Sequence, residues 1–174
     1  TTKRGYTPEE VQAERDRREP DSRAFIRPQR EHADLVVGFG PPEGITADAA
    51  GSGLDALLVL RPTINHPDLS YLLEKEGDAT PGIRLKLGRD EGRPADFLEI
   101  DGGVTAGHAA ELEDAVWQHL PDLRPVGDEK FGAYQDRTEE RHSQTLALTQ
   151  LLIAYHLLRK YSDDAVLVIA NGPE

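Results

Sequence analysis

The chain has 174 residues, 37% hydrophobic and 30% charged, and its 32 acidic and 20 basic side chains give a formal net charge of −12. Such an acidic surface repels phosphate backbones and anionic lipids, so nucleic acid and membranes are not expected partners. With no cysteine there is no disulfide or zinc–thiolate site within the chain; with no apolar run near ~20 residues and no signal-type leader, a cytoplasmic location is expected.

The first predicted element is a helix with a clear start signal. Thr7 can cap it, Pro8 suits the first helical position, and Glu10 completes a Thr-x-x-Glu capping box. The helix is expected to end at about Arg18, because the residue preceding Pro20 disfavours helical geometry. This early start signal, in a chain without methionine, leads us to expect that the chain is part of a longer protein.

A strand, a linker and a second region of different texture follow. A turn or short helix leads into a strand at Asp34–Phe39, whose continuous apolar run predicts burial on both faces. The segment Gly40–Gly53 is rich in Gly, Pro and small residues and is the expected linker. Beyond it, Asp55–Arg61 is predicted to be a strand and Pro67–Lys75 a short helix.

The second half contains a predicted hairpin and two predicted helices. Ile83–Gly88 and Asp96–Asp101 alternate apolar with polar residues across a Gly-rich turn, which indicates paired strands. Apolar residues at helical spacing predict helices over Gly107–Leu120 and Thr138–Tyr161.

The segments before and after the predicted Thr138–Tyr161 helix also carry structural signals. The loop before it is expected to be anchored by Phe131 and Tyr134. The β-branched run Ala165–Ala170 at the end of the chain predicts a final strand.

Arginines are the leading candidates for chemistry, namely Arg4, Arg15, Arg17 and Arg18. A guanidinium binds phosphate oxygens through paired donors and keeps its charge, which suits it to clamp a phosphorylated sugar or a nucleotide. Arginines near a helix C-terminus also complement the helix dipole without any ligand. Spacing alone leaves both interpretations open.

No other residue pattern carries a recognisable chemistry. The six histidines are scattered; His108 with Glu111 comes nearest to a ligand pair, so no metal site is expected. His156 lies beside the apolar stripe of the long helix and is predicted to belong to the core. The sequence contains no Gly-x-Ser-x-Gly and no Gly-x-x-x-x-Gly-Lys-[Ser/Thr].

The first forty residues resemble the phosphoribulokinase and uridine kinase group of P-loop kinases in three runs, RGYTPEEV, RREPD and IRPQREHADLVV. Ile26–Gln29 and Ala33-Asp34 match an element that leads into a strand of the nucleotide-binding sheet in that group. The arginine pair of RREPD favours phosphoribulokinase. The runs FLEIDG and PVGDEKFGAYQDRTEERHSQTLALTQLLIAYHLL also look like the C-terminal half of phosphoribulokinases, and the resemblance is weakest from Gly40 to Lys86.

This resemblance implies an α/β fold that forms the C-terminal part of a P-loop kinase, with a mixed sheet flanked by helices. Residues 1–40 would be the end of the P-loop domain, comprising the lid turn, a helix and the last strand. Residues 41–174 would form a C-terminal mixed α/β region.

The implied reaction is transfer of the ATP γ-phosphoryl group to the 1-hydroxyl of D-ribulose 5-phosphate, giving ribulose 1,5-bisphosphate, with a place in the Calvin cycle. By the resemblance, Arg4 matches an arginine that holds sugar phosphate, and Arg17 and Arg18 match a basic pair linked to nucleotide contact or regulation. ATP and Mg²⁺ are expected for the complete enzyme and no cofactor for this chain alone. No catalytic residue is expected within it, because the family's P-loop, catalytic aspartate and Lys-x-x-Arg-Asp motif would precede Thr1; the chain alone is therefore expected to be inactive.

Two alternatives stay open. A uridine kinase of the same group shares the lid turn but does not need the FLEIDG and KFGAYQD regions. A non-catalytic interaction or oligomerisation module would use the predicted Thr138–Tyr161 helix as its contact face. Exposed apolar surface on the first forty residues is expected to promote homo-oligomers.

Overall fold

The computed structural model describes residues 6–44, 53–70, 82–119, 130–136 and 139–170, with side chains up to residue 160 in the last range. Helices and sheets are both present, so the predicted α/β class is confirmed. The elements are α1 (Pro8–Asp21), a π turn (Ser22–Ile26), a 3₁₀ segment (Arg27–His32), β1 (Leu35–Gly40), β2 (Asp55–Leu60), β3 (Ile83–Asp90), β4 (Arg93–Ile100), α2 (Ala106–Gln118), β5 (Ala133–Asp136), β6 (Glu139–His142) and α3 (Gln144–Ala170).

Helix α1 begins where its capping box predicts. The Glu10 amide donates to Thr7 Oγ1 at 3.2 Å, and the Thr7 amide donates to Glu10 Oε2 at 2.7 Å. Two orphan amides at the start of the helix are therefore satisfied reciprocally.

The predicted end of α1 at Arg18 is wrong, because the helix continues through Pro20 to Asp21. Proline removes one amide donor, but the Ser22 amide reaches the carbonyls of Arg18 and Glu19 and closes the last turn. The chain then widens into the π turn and tightens into the 3₁₀ segment. Such departures from regular α-helix are a usual response to a lost helical hydrogen bond.

The main sheet has four strands in the order β1-β2-β4-β3. All of its strand pairs are antiparallel, whereas a mixed sheet was expected. Val37, Leu58, Leu98 and Leu85 face one another in register across the four strands. Because side chains alternate between faces, this row defines the core face of the sheet.

Strand β1 confirms the predicted strand, but its predicted burial on both faces is wrong. Val36 and Val37 are only partly buried, and Phe39 is exposed. Among the described strands, β1 lies at the sheet edge and pairs with β2 alone, so one side of its backbone has no strand beside it. β1 and β2 belong to one sheet, while the predicted domain boundary at residue 40 concerns the longer protein and stays a prediction.

The predicted hairpin is confirmed as β3 and β4, which pair along their full length. Its turn consists of Glu91 (φ 51°) and Gly92 (φ 80°). Two successive residues with positive φ form the type I′ turn that matches the twist of antiparallel strands.

Helices α2 and α3 pack together and cover the core face of the sheet. Thr105 caps α2 by accepting from the His108 amide at 3.3 Å, which confirms this helix within one or two residues of its predicted bounds. The core face, α2 and α3 share one hydrophobic cluster, which includes Ala56, Leu58, Leu60, Leu85, Leu98, Ile100, Leu112, Val116, Leu148, Leu151, Leu152 and Tyr155.

The chain before and within α3 differs from expectation. A small antiparallel hairpin of β5 and β6 occupies the segment predicted as loop and first helical turn, so α3 begins at Gln144 and not at Thr138. Phe131 packs against the core as predicted, but Tyr134 is exposed. The predicted final strand Ala165–Ala170 is also wrong, because α3 runs through it; strand propensity is a weak preference that a continuing helix overrides.

Some predictions lie partly or wholly outside the described residues. These are residues 45–52 of the linker Gly40–Gly53, residues 71–75 of the short helix Pro67–Lys75, and most of the loop that precedes Phe131. Residues 67–69 have no regular secondary structure.

Candidate functional site

Two of the three predicted arginines of α1, Arg17 and Arg18, converge on one carboxylate, whereas Arg15 is exposed and does not join them. Arg17 donates from Nε and Nη2 to the two oxygens of Glu14 at 2.9 and 2.7 Å, and Arg18 donates from Nε at 2.5 Å. Hydrogen bonds from Arg17 and then Arg18 lower the pKa of Glu14 to about 2. Two guanidiniums on one carboxylate leave one net positive charge. Both arginine side chains are 73% exposed, so this charge is presented to solvent.

The next turn of the chain repeats this arrangement with residues that sequence reasoning did not select. Arg23 donates to Glu19 Oε1 at 2.8 Å, and Arg27 donates to the same oxygen at 2.6 Å. Hydrogen bonding from Arg23 is the main cause that lowers the pKa of Glu19. The i, i+4 spacing of Glu19 and Arg23 was a usable sequence signal. We call the four arginines at positions 17, 18, 23 and 27 the basic strip.

A groove of about 580 Å³ lies beside one end of this strip. Its walls come from the end of the π turn, the 3₁₀ segment, β1 and the β3–β4 turn. Arg27 and Arg30 supply cationic groups, while Leu35 and neighbouring valines of β1 supply apolar surface. The lining residues are Ile26, Arg27, Gln29, Arg30, Ala33, Leu35, Val36, Val37 and Glu91.

Arg30, which lines the groove, forms a charge cluster with the buried Asp90 and Arg61. Arg30 Nη2 donates to Asp90 Oδ1 at 2.8 Å, and Arg61 Nη2 donates to Asp90 Oδ2 at 2.7 Å. The hydrogen bond from Arg30 is the main cause that lowers the pKa of Asp90, and both guanidinium charges act in the same direction. Arg61 is 1% exposed. Arg30 and Arg61 are 31 residues apart in the chain, so no local sequence pattern predicted that they share a carboxylate.

The groove and the basic strip together can bind an anionic group next to an apolar or planar one. Guanidiniums suit phosphate or carboxylate oxygens. A half-buried apolar wall formed by β1 suits a less polar moiety. The arrangement supplies binding and positioning, and none of the described residues around it forms a nucleophile–base pair.

A second cluster joins the loop after β2 to α3. His66 Nε2 lies 2.7 Å from the Arg61 carbonyl oxygen, and His66 Nδ1 lies 3.4 Å from His156 Nε2. Burial lowers the pKa of His156 to about 4, the neighbouring His66 adds to this shift, and the backbone of Asn65 opposes it. His156 lies beside the core residue Tyr155 but is only partly buried and is not part of the core cluster, so its predicted core position is confirmed only in part.

Arg4 lies outside the described residues. His108 is exposed on α2. Among the described residues, no group of three or more His, Cys, Asp or Glu side chains could hold a metal ion, and no helix is long and apolar enough to cross a membrane.

Several curated proteins that match part of the chain are phosphoribulokinases. The chain is 30% identical over 113 residues to the chloroplastic phosphoribulokinase of Triticum aestivum, and this match covers 57% of this chain and 28% of the relative. It is 28% identical over the same shares to the chloroplastic phosphoribulokinase of Spinacia oleracea. It is 30% identical to the phosphoribulokinase of a Synechocystis strain, over 57% of this chain and 34% of the relative. No protein-family model matches the chain.

These comparisons confirm the resemblance, and the matched region is phosphoribulokinase-like. The match spans only between 28% and 34% of the length of these relatives.

Proposed function

We propose that the chain is the C-terminal part of a phosphoribulokinase, which transfers the γ-phosphoryl group of ATP to the 1-hydroxyl of D-ribulose 5-phosphate. The observation that carries this proposal is the similarity to phosphoribulokinases of plants and a cyanobacterium over more than half of the chain. A phosphotransferase of this kind works mainly by positioning and by electrostatic stabilisation of the transferred group.

The basic strip supports this proposal by its chemistry. Arg17 and Arg18 are the pair in the RREPD run that resembles the family, and their shared positive charge faces solvent. In the complete enzyme they would contact nucleotide phosphates or a regulatory anion. Arg4 would hold the phosphate of the sugar. The groove formed by Arg27, Arg30 and β1 is a further place for an anionic ligand with an apolar part.

ATP and Mg²⁺ would be held mainly by other residues of the complete enzyme. The described residues contain no cluster of three or more metal-binding side chains, and the sequence has no Gly-x-x-x-x-Gly-Lys-[Ser/Thr] run. We expect the chain alone to be inactive.

The cellular setting is part of the same proposal. A phosphoribulokinase would place the protein in the Calvin cycle. Two of the relatives above are named chloroplastic and the Synechocystis relative is not, and our prediction for this chain is the cytoplasm.

A non-catalytic interaction module is the second candidate, and one feature of α3 favours it. Ile153 and Leu157 are one helical turn apart and are 37% and 66% exposed. Residues at i and i+4 share a helix face, so α3 carries a small apolar strip that a partner or a second copy could cover. A uridine kinase of the same group is the third candidate.

The test is ADP release by the full-length protein with ATP and Mg²⁺, with ribulose 5-phosphate and uridine assayed in parallel. Release with ribulose 5-phosphate alone would support the proposal, and release with uridine alone would transfer it to the uridine kinase. Absence of release with both substrates, from a folded protein that also lacks a P-loop upstream, would favour the interaction module.

A further inference from the structure

Two histidines far apart in the sequence meet at the side of α3. His66 follows β2, His156 lies on α3, and the two are 90 residues apart in the chain. Their ring centroids are 4.9 Å apart and the rings are nearly perpendicular, at 89°. Both side chains are half-buried.

The carbonyl of Arg61 determines which nitrogen of His66 carries the proton. A carbonyl oxygen can only accept, so His66 Nε2, at 2.7 Å, must be the protonated donor. In the neutral ring Nδ1 then carries a lone pair, and it faces His156 Nε2. A hydrogen bond from the second ring nitrogen to a backbone carbonyl is the arrangement that usually orients a metal-binding histidine.

The distance between the two facing nitrogens suits a shared metal ion. At 3.4 Å it is longer than the 2.7–3.2 Å typical of a good hydrogen bond, so a direct bond between the rings is weak. Two imidazole nitrogens bound to one tetrahedral Zn²⁺ at ~2.0–2.1 Å are about 3.3–3.4 Å apart. The rings therefore already have the separation that the ion requires.

His156 can adopt the matching tautomer. Its Nδ1 is buried and makes no hydrogen bond of good geometry, while the backbone of Asn65 acts to raise the pKa of the ring. A proton on Nδ1 leaves the Nε2 lone pair directed at His66, and neutral imidazole is the form that binds a metal.

We propose that His66 and His156 form a two-histidine site for a borderline transition-metal ion such as Zn²⁺, with water completing the coordination shell. No third His, Cys, Asp or Glu among the described residues joins them. The site is therefore open, and it does not depend on the proposed kinase function.

Such an ion would link two separate parts of the fold. His66 belongs to the loop that follows the buried Arg61, and His156 to the helix whose neighbours Leu152 and Tyr155 are core residues. An ion that binds only the folded arrangement stabilises it by mass action. Metal binding would thus hold the loop after β2 against α3.

The experiment is thermal unfolding of tag-free protein with increasing Zn²⁺, and with Mg²⁺ in parallel. At a hundredfold excess of Zn²⁺ over its Kd, the unfolding midpoint should rise by about 5–10 °C. Mg²⁺ should give no comparable rise, because it prefers oxygen ligands. The Mg²⁺ arm is needed because a protein of net charge −12 attracts divalent cations without a specific site.

Variants separate this pair from the other histidines. His66→Ala and His156→Gln should each abolish the Zn²⁺-dependent rise, while His108→Ala, on the exposed face of α2, should keep it. If a variant does not fold, Co²⁺ titration of the unmodified protein decides, because tetrahedral nitrogen coordination gives visible absorption. Absence of both the Zn²⁺ shift and the Co²⁺ absorption would overturn the proposal, as would a shift that survives in a folded His156→Gln protein.

Discussion

Arg61 Nη2 lies 2.7 Å from Asp90 Oδ2, and this ion pair is almost completely buried. The same nitrogen donates to the carbonyl oxygen of Arg30 at 2.9 Å. The end of β2, the end of β3 and the 3₁₀ segment before β1 therefore meet at one guanidinium. Its Nε and Nη1 are buried without a partner, so the pair is incompletely satisfied. Because of these missing hydrogen bonds, the free energy of unfolding should respond differently to removal of one partner and to removal of both.

Removing one partner of the pair should destabilise the protein strongly. Asp90→Ala leaves the Arg61 charge buried and uncompensated, and we expect a loss of about 3 kcal/mol in the free energy of unfolding. Arg61→Met combined with Asp90→Leu should come within about 1 kcal/mol of the original protein, because two buried apolar groups need no partners. Urea denaturation of the single and double variants measures both. A double variant as unstable as Asp90→Ala would show that the ion pair itself stabilises the fold.

The same carboxylate should make stability depend on pH on the acid side. The folded-state pKa of Asp90 lies below its usual value, chiefly because of the hydrogen bond from Arg30. Its contribution is therefore fully present above the unfolded pKa of about 3.9 and is lost as the pH falls through the folded-state pKa. Urea midpoints of the original protein between neutral pH and pH 3 should fall more steeply than those of Asp90→Asn. Parallel curves would contradict this role of Asp90.

Two glycines with the same backbone conformation should differ in their tolerance of alanine. Gly132 (φ 81°) would place a Cβ 2.5 Å from the Ser143 carbonyl oxygen, whereas Gly92 (φ 80°) has open space there. Gly92→Ala should cost about 1–2 kcal/mol, from the left-handed conformation alone. Gly132→Ala should cost more, because it must also move the start of α3. Equal losses in urea unfolding would mean that this close approach is easily relieved.

In the full-length enzyme, Arg4→Ala should reduce kcat/KM for ribulose 5-phosphate far more than for ATP, because a guanidinium that holds the sugar phosphate has no part in binding the nucleotide. Equal losses for both substrates would contradict this role.

Arg17→Ala and Arg18→Ala should each raise the KM for ATP or change the response to an anionic effector. Arg15→Ala is the matched control on the same helix, since Arg15 is not part of the Glu14 pairing. We expect it to leave both readouts unchanged. If all three variants behave alike, the effect reflects the general charge of α1.

Elements governed by neighbouring residues could be predicted well. The capping box of Thr7 and Glu10, the turn at Glu91-Gly92 and the apolar spacing of α2 are all formed by contacts within a few positions. The end of α1 and the last residues of α3 could not, because proline and β-branched residues bias a helix by amounts that a continuing turn overcomes. The candidate site was predicted in part: Arg17 and Arg18 were selected, but Arg23, Arg27 and Arg30 were not.

By itself the sequence determined the local elements, the acidic surface and the likeness to phosphoribulokinases. Tertiary structure alone decided that Arg30 reaches Asp90 across 60 residues, that Arg61 reaches it across 29, and that His66 meets His156 across 90. The packing of the sheet, the 3₁₀ segment and α3 against one another brings these side chains together, and no local pattern encodes that packing. It also decided that β1 is a partly exposed edge strand. The burial of a strand depends on which elements pack against it, and an apolar run in the sequence does not specify those elements.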